Sequence, residues 1–204
     1  MTSDYYDLNA EAFRQRTAGC DLAPLYEGFL SRLPPGAHIL DAGCGPGRDT
    51  LAFLGRGFRV TAIDASAAMV DLATQATGQP ARQLRLQEIE FHDAFDGVWA
   101  NASLLHVPTG EIDDVLRRLV RSLVPEGLLH VSVKIGDGER IAPDGRFFCD
   151  YTETVLRALF ARHPSLRLLS LEESPPQRPQ DDNRSWLIAR ASKLTAPIDS
   201  GAVG

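Results

Sequence analysis

The sequence has 204 residues, and its 21 lysines and arginines against 27 aspartates and glutamates give a formal net charge of −6. Hydrophobic residues make up 44% and charged residues 24%, which is ordinary usage for a globular protein. These values argue against a collagen-like, coiled-coil or wholly disordered chain. The negative charge also disfavours a generally basic nucleic-acid binder, because phosphate would be repelled.

Cysteine usage and the N-terminus indicate the cellular setting. Cys20, Cys44 and Cys149 lie far apart, and no Cys-x-x-Cys pair or Cys/His cluster offers a metal site. The N-terminus shows no basic-then-apolar signal pattern, and no run of about 18 apolar residues occurs anywhere. We therefore predict a reducing, cytoplasmic location, no bound metal and no membrane partner.

Strand and helix patterns alternate along most of the chain. Helices are predicted over residues 9–17, 22–33, 48–56, 66–77, 111–123 and 152–162. Strands are predicted over residues 37–42, 58–63, 84–87, 95–100, 127–134, 166–173 and 184–191. Ser66 and Thr152 are expected to cap the helices that begin at those positions. This alternation predicts a parallel sheet covered by helices on both faces.

The length favours one domain with short appendages. We predict a single domain over residues 1–191, in which about residues 1–33 form a helical cover. Residues 174–183 are expected to form an exposed loop and residues 192–204 a flexible tail. Residues 136–150 are expected to form a long functional loop, because loops of that length after a core strand are more often functional than structural.

The most informative stretch is the glycine-rich turn after the first predicted strand, with Asp41 two residues before Gly43, Gly45 and Gly47. This spacing is not the Gly-x-Gly-x-x-Gly of a dinucleotide site. The acid would repel a pyrophosphate but suits an ammonium group. Asp64 ends the next strand, where it can accept hydrogen bonds from ribose hydroxyls. An ammonium group and a ribose together describe S-adenosylmethionine.

With these residues, the segment 95–108 (FDGVWANASLLHVP) resembles the class I S-adenosylmethionine-dependent methyltransferases. The resemblance is strongest to a small bacterial branch thought to act on small molecules, which includes tellurite-resistance-type proteins. It covers about residues 5–191. It implies an α/β, doubly wound fold whose seven-stranded, mostly parallel sheet has the order 3-2-1-4-5-7-6, with strand 7 antiparallel.

The resemblance also implies which residues surround the cofactor. The three glycines would line its methionine portion, Asp64 would hold the ribose, and Asp41 would bind the ammonium group directly or through water. Further residues expected at the cofactor are Tyr6, Ala65, Gln87 and Asn101. Tyr6 would belong to a lid, whereas Gln87 has a surface alternative and Asn101 a loop-capping alternative.

Methyl transfer needs an acceptor held in line with the donor, and sometimes a base that removes the acceptor's proton. His106 follows the fourth core strand and is the candidate general base, with shaping of the pocket as the alternative. Lys134, Arg146 and Tyr151 are candidates for recognising an anionic or phenolic acceptor. Each of these three has a structural or surface role as its alternative.

We therefore predict a methyltransferase that uses S-adenosylmethionine, yields S-adenosylhomocysteine and methylates an O, N or S atom of a small molecule. Asn101 is not followed by the Pro-Pro-aromatic motif found in enzymes that methylate base amino groups, which disfavours a nucleic-acid acceptor. A tRNA or protein methyltransferase and a non-catalytic S-adenosylmethionine-binding module remain as alternatives. The acceptor and the oligomeric state stay open.

Overall fold

The computed structural model describes residues 2–176 and 183–195. Its strands are β1 (His38–Ala42), β2 (Arg59–Asp64), β3 (Arg82–Gln83), β4 (Phe95–Asn101), β5 (Leu123–Lys134), β6 (Gly138–Ile141), β7 (Phe147–Asp150), β8 (Leu166–Ser174) and β9 (Trp186–Lys193). Seven of them form one sheet in the order β3-β2-β1-β4-β5-β9-β8, in which β9 is antiparallel to both neighbours. Numbered within that sheet, the order is 3-2-1-4-5-7-6, and the prediction is confirmed.

Helices cover both faces of this sheet. They are α1 (Thr2–Thr17), α2 (Ala23–Leu30), α3 (Arg48–Leu54), α4 (Ala67–Thr77), α5 (Ile112–Ser122) and α6 (Glu153–Ala161). The side chains of Ser66 and Thr152 accept hydrogen bonds from the backbone N–H groups of Met69 and Val155, both at 3.2 Å. The two predicted N-caps are therefore confirmed, and each satisfies a donor that the first helical turn leaves open.

The core is divided by the sheet because successive strand residues point to opposite faces. Leu40 of β1 packs into a large cluster with α5 and α6. Its neighbour Ile39 packs on the other face with Phe29 of α2, Phe53 of α3 and Trp99 of β4. Helices α2 and α3 therefore cover the face on which Trp99 lies.

The predicted strand over residues 84–87 is wrong. Strand β3 consists only of Arg82 and Gln83, and Leu86–Glu88 form a short 3₁₀ turn. The Glu88 carboxylate accepts a hydrogen bond from the backbone N–H of Arg85 at 3.1 Å, and this bond closes the turn. A local side-chain contact thus competes with sheet pairing here.

Residues 136–150, expected to be a loop, contain the antiparallel hairpin β6–β7. Its turn is closed by the backbone N–H of Ala142, which donates to the carbonyl of Arg146 at 2.8 Å, and Gly145 adopts a positive φ of 84°. At the C-terminus, β9 continues to Lys193, so the predicted tail does not begin at Ser192. The rest of the predicted tail from residue 196, and most of the predicted loop at 174–183, lie outside the described residues.

None of the helices within residues 2–176 and 183–195 has the length and apolar character that crossing a membrane requires.

Candidate active site

A cavity of about 880 Å³ opens at the carboxyl ends of the central strands. Gly43 and Gly45 line it from the turn after β1, Asp64 from the end of β2 and Asn101 from the end of β4. Tyr6 of α1 lines it from above. This is the edge at which open α/β sheets bind ligands, and the volume suits a cofactor together with a small acceptor.

The turn after β1 depends on glycine for its shape and for close approach. Gly43 and Gly45 have φ angles of 89° and 53°, a left-handed conformation that other residues adopt only at a cost. A Cβ on Gly43 would lie 2.5 Å from the Cβ of Ser103. Gly47 (φ 85°) is not among the lining residues, because its Cα faces Ala73 of α4 and a Cβ there would lie 2.8 Å from the Ala73 Cα. Gly47 therefore packs α3 against α4.

Asp64 is oriented by the backbone around it. Its Oδ2 accepts a hydrogen bond from the N–H of Gly45 at 2.8 Å, and its Oδ1 accepts one from the N–H of Ser66 at 2.9 Å. Burial raises the pKa of this carboxyl, although the backbone donors act in the opposite direction. Each oxygen keeps a further lone pair for an incoming hydroxyl, and the exposed Ala65 lines the cavity beside it.

Asp41 lies behind the turn and does not line the cavity. It is 2% exposed, and its Oδ2 accepts a hydrogen bond from the Thr50 hydroxyl at 2.6 Å. Burial, followed by the neighbouring charge of Asp49, raises the pKa of Asp41 to about 8. A direct contact between Asp41 and a ligand's ammonium group does not fit this position. Of the two predicted contacts, the one bridged by a water molecule remains.

Asp49 is a buried residue at the cavity that was not among the predicted site residues, and it accepts hydrogen bonds from several elements. Its carboxylate accepts hydrogen bonds from Arg48 Nε (2.7 Å), Tyr26 Oη (2.7 Å), Trp99 Nε1 (2.8 Å) and Asn101 Nδ2 (3.1 Å). Burial alone would raise the pKa of Asp49, but the Arg48 guanidinium and these donors hold it below its usual range. The only local signal is an acid in the first turn of α3.

Asn101 links Asp49 to β5 through its side-chain amide. The hydroxyl of Ser132 donates to Asn101 Oδ1 at 2.6 Å and accepts from the N–H of Ala102 at 2.8 Å. Ala102 has a positive φ of 57°, so the chain turns sharply where β4 ends. The amide of Asn101 is thus fixed at both ends by protein contacts, and its contact with a cofactor stays a prediction.

His106 is held by hydrogen bonds on both ring nitrogens. Its Nδ1 lies 2.7 Å from the carbonyl oxygen of Phe147 and donates to it, so Nε2 accepts from the Tyr6 hydroxyl at 2.9 Å. Burial, with a smaller contribution from the charge of Arg146, lowers the pKa of His106 to about 4. The imidazole is therefore neutral at physiological pH, and its remaining lone pair is engaged by Tyr6.

Arg146 and Gln87 both line the cavity. The guanidinium of Arg146 donates to Asp144 at 2.7 Å and lies 3.4 Å from the Tyr6 hydroxyl, which links the β6–β7 hairpin to α1. Gln87 lies where the adenine is expected, and its Nε2 donates to Glu111 at 2.8 Å.

Of the other two residues predicted to bind the acceptor, Lys134 lines the cavity and Tyr151 does not. Lys134 lines the cavity while only 6% exposed, and its Nζ lies 3.0 Å from the carbonyl of Arg184 and 4.1 Å from the centre of the Trp186 ring. Tyr151 is 3% exposed and not among the lining residues, so direct contact with an acceptor does not fit it. Burial raises the pKa of its hydroxyl.

Within the described ranges, no group of three or more histidine, cysteine or acidic side chains is arranged to hold a metal ion.

Comparisons with known proteins agree with this geometry. Residues 39–127 match a family model described as a methyltransferase domain. The structure of Burkholderia thailandensis 1,6-didemethyltoxoflavin-N1-methyltransferase, with bound 1,6-didemethyltoxoflavin and S-adenosylhomocysteine, superimposes with a TM-score of 0.76. It is 25% identical, and the match covers 95% of this chain and 87% of that one. The chain carries a class I S-adenosylmethionine-dependent methyltransferase domain.

Curated relatives match about half of this chain. A trans-aconitate 2-methyltransferase of Paracidovorax citrulli (strain AAC00-1) is 38% identical over 119 residues, which are 54% of this chain and 44% of that protein. A malonyl-[acyl-carrier protein] O-methyltransferase of Salmonella typhimurium is 39% identical over 97 residues, which are 46% of this chain and 37% of that protein. The matches thus span less than half the length of these relatives.

The residues of the methyltransferase domain fit S-adenosylmethionine. Gly43 and Gly45 leave the backbone of the turn open to the ligand, and Asp64 presents two oriented oxygens. The hydroxyl of Ser103 beside Gly43 is buried without a hydrogen-bond partner among the described residues, as expected of a group that a ligand would satisfy. When bound, S-adenosylmethionine supplies a methyl group activated by a positively charged sulfur.

Proposed function

We propose that this protein transfers a methyl group from S-adenosylmethionine to an O, N or S atom of a small-molecule acceptor. One observation carries the proposal. A single cavity joins the glycine turn and Asp64 at one end to Ser132, Lys134 and Trp186 at the other, so donor and acceptor can lie side by side. Proximity of this kind provides much of the rate enhancement when two substrates must meet.

The cover over the cavity supports a small acceptor. Helix α1 is tied to α4 by Asp7, whose Oδ1 accepts hydrogen bonds from the Ser66 hydroxyl at 2.5 Å and from the N–H of Ala68 at 3.2 Å. At its other side, Thr2 accepts a hydrogen bond from the N–H of Phe147 at 3.0 Å. An acceptor enclosed beneath α1 and the hairpin has to be small. The acceptors in the relatives' names include trans-aconitate and an acyl-carrier-protein-linked malonyl group.

Each lining residue then has a role that its contacts support. Asp64 would accept the ribose hydroxyls, and Gly43 and Gly45 would adjoin the methionine portion. Tyr6 and His106 would exclude water from the reacting centre, and Asn101 would shape its floor. Gln87 would lie beside the adenine. We assign no proton transfer to His106, because both of its nitrogens are engaged.

Calorimetry with S-adenosylhomocysteine tests the proposal. Asp64→Ala removes both ribose acceptors, and the affinity should fall about tenfold or more, since hydrogen bonds to a charged group contribute about 1.5–3 kcal/mol each. Asp71→Ala, at an exposed position on α4, is the matched control and should bind like the wild type. Thermal unfolding of both variants shows whether they are folded. A wild-type protein that does not bind S-adenosylhomocysteine, or an Asp64→Ala variant of undiminished affinity, contradicts the proposal.

A further inference from the structure

Among the described residues, the acceptor end of the cavity offers no poised general base. His106 donates from Nδ1 and accepts at Nε2, so it has no lone pair left for an acceptor's proton. Among the described lining residues, the carboxylates are also engaged: Asp49 with Arg48, Asp144 with Arg146, Glu111 with Gln87, and Asp64 with backbone N–H groups and, under the proposed function, with the ribose hydroxyls. An acceptor hydroxyl or thiol would therefore reach the methyl donor still protonated. The nucleophile that suits this site arrives already ionised.

The charge of the cavity wall points to the same chemistry. Five cationic side chains line the described part of the wall, namely Arg16, Arg48, Arg85, Lys134 and Arg146, against the four carboxylates above. The sulfonium of the methyl donor adds to this small excess of positive charge. A protonated amine would be repelled from such a site, whereas an anion would be attracted.

Lys134 places one of these positive charges at the acceptor end of the cavity. Its side chain is almost completely buried, although an ammonium group is costly to remove from water. The ammonium group donates to the carbonyl of Arg184 and lies over the Trp186 ring, and the apolar Ile188 and Leu25 also line the cavity. A buried ammonium group beside apolar walls suits a ligand with an anionic end and an apolar body.

We propose that the acceptor is a carboxylic acid, bound as its carboxylate at Lys134 and converted to a methyl ester. This inference rests on the proposed function and narrows the acceptor atom from O, N or S to a carboxylate oxygen. In the step, a carboxylate oxygen forms the bond to the methyl carbon while the carbon–sulfur bond breaks, and that bond's electron pair stays on sulfur. The products are a neutral ester and S-adenosylhomocysteine. No proton is transferred, which agrees with a site that lacks a free base.

Alkali lability of the transferred methyl group tests the chemistry. The wild-type protein is incubated with S-adenosylmethionine carrying a tritiated methyl group and a low-molecular-mass cell extract, and the labelled products are then treated with mild alkali. A methyl ester releases volatile tritiated methanol, whereas N-methyl, S-methyl and ether products keep the label. Alkali-stable label overturns the carboxylate assignment and leaves the proposed function standing. Absence of any transfer overturns both.

Binding of a simple carboxylate tests Lys134 without any turnover. Saturation-transfer NMR on protein loaded with S-adenosylhomocysteine should show benzoate binding more tightly than the uncharged benzamide. Lys134→Met should weaken benzoate binding about tenfold and leave benzamide unchanged. Lys193→Met is the matched control, because Lys193 contacts Asp93 and the carbonyl of Leu123 and is not among the lining residues. Equal binding of the two probes, or no loss in Lys134→Met, contradicts the role of Lys134.

Discussion

The hydroxyl of Tyr6 donates a hydrogen bond of 2.9 Å to Nε2 of His106, and the two residues are 100 positions apart in the chain. The contact joins α1 to the 3₁₀ turn that follows β4, directly over the cavity. Because Nε2 of His106 accepts the hydrogen bond from Tyr6, the predicted general base has no lone pair available for a proton from the methyl acceptor. His106 thereby becomes part of the structure that holds the cover in place.

Tyr6→Phe removes this donor and leaves a buried ring nitrogen without a partner. An unsatisfied buried acceptor costs about 1–3 kcal/mol, so the free energy of unfolding measured with urea should fall by that amount. The affinity for S-adenosylhomocysteine should fall with it, because the cover is loosened. Tyr5→Phe is the control, since its hydroxyl is not part of the link to His106, and it should change either value little. Equal effects of the two substitutions would show that the contact contributes nothing specific.

The buried histidines make the fold sensitive to acid. Burial lowers the pKa of His106 from 6.5 to about 4 and that of His130 from 6.5 to about 3. The unfolded chain therefore binds more protons below pH 6.5, and the free energy of unfolding falls as the pH drops from 6.5 towards 4. Each histidine contributes at most about 1.4 kcal/mol per pH unit within this window.

His106→Gln should make that pH dependence shallower than it is in the wild type. Urea unfolding at a series of pH values measures the slopes. Methyl transfer by the wild type should also show no loss of rate attributable to His106 between pH 6 and 9, because its pKa of about 4 lies well below that range. A rate that follows a group titrating near pH 6.5, and that becomes flat in His106→Gln, would restore the histidine as a general base.

Alanine substitutions at Gly36 and Gly43 distinguish the cost of backbone strain from the cost of steric overlap. Gly36 and Gly43 both have positive φ angles, 73° and 89°, but a Cβ at Gly36 meets nothing within 4 Å, whereas one at Gly43 would overlap Ser103. Gly36→Ala should cost about 1–2 kcal/mol from the left-handed conformation alone. Gly43→Ala should cost more and should reduce binding of S-adenosylhomocysteine, while Gly36→Ala binds normally. Denaturant unfolding and calorimetry on the pair provide both comparisons, and equal losses would refute the steric argument.

The buried Asp49 carboxylate predicts the largest loss of stability. Asp49→Asn places an amide among four donors and leaves the Arg48 guanidinium without its buried partner. Breaking a buried pair in this way costs about 3–5 kcal/mol, which denaturant unfolding would measure. Asp71→Asn on the exposed face of α4 should stay within about 0.5 kcal/mol of the wild type. A comparably small effect at Asp49 would mean that the four donors find other partners.

Local features of the chain were predictable because they depend on residues close together in sequence. The caps at Ser66 and Thr152, the glycine turn after β1 and the placement of Asp64 at the end of β2 all follow from spacing within a few positions. The sheet order followed from resemblance to a known family. The β6–β7 hairpin was missed because its strands have four residues each and little apolar alternation, so they read as a loop.

Contacts between distant segments were decided only by the tertiary structure. The family resemblance implied that Asp41 and Gly47 lie at the ligand, yet packing places Asp41 against Thr50 and Gly47 against Ala73. The hydrogen bonds to Asp49 depend on donors from three separate elements, and no local pattern brings these together. The sequence by itself therefore determined most of the helices and strands and the glycine turn, since these are short-range. Which side chains face the acceptor was decided by packing, because burial and long-range hydrogen bonds exist only once the chain has folded.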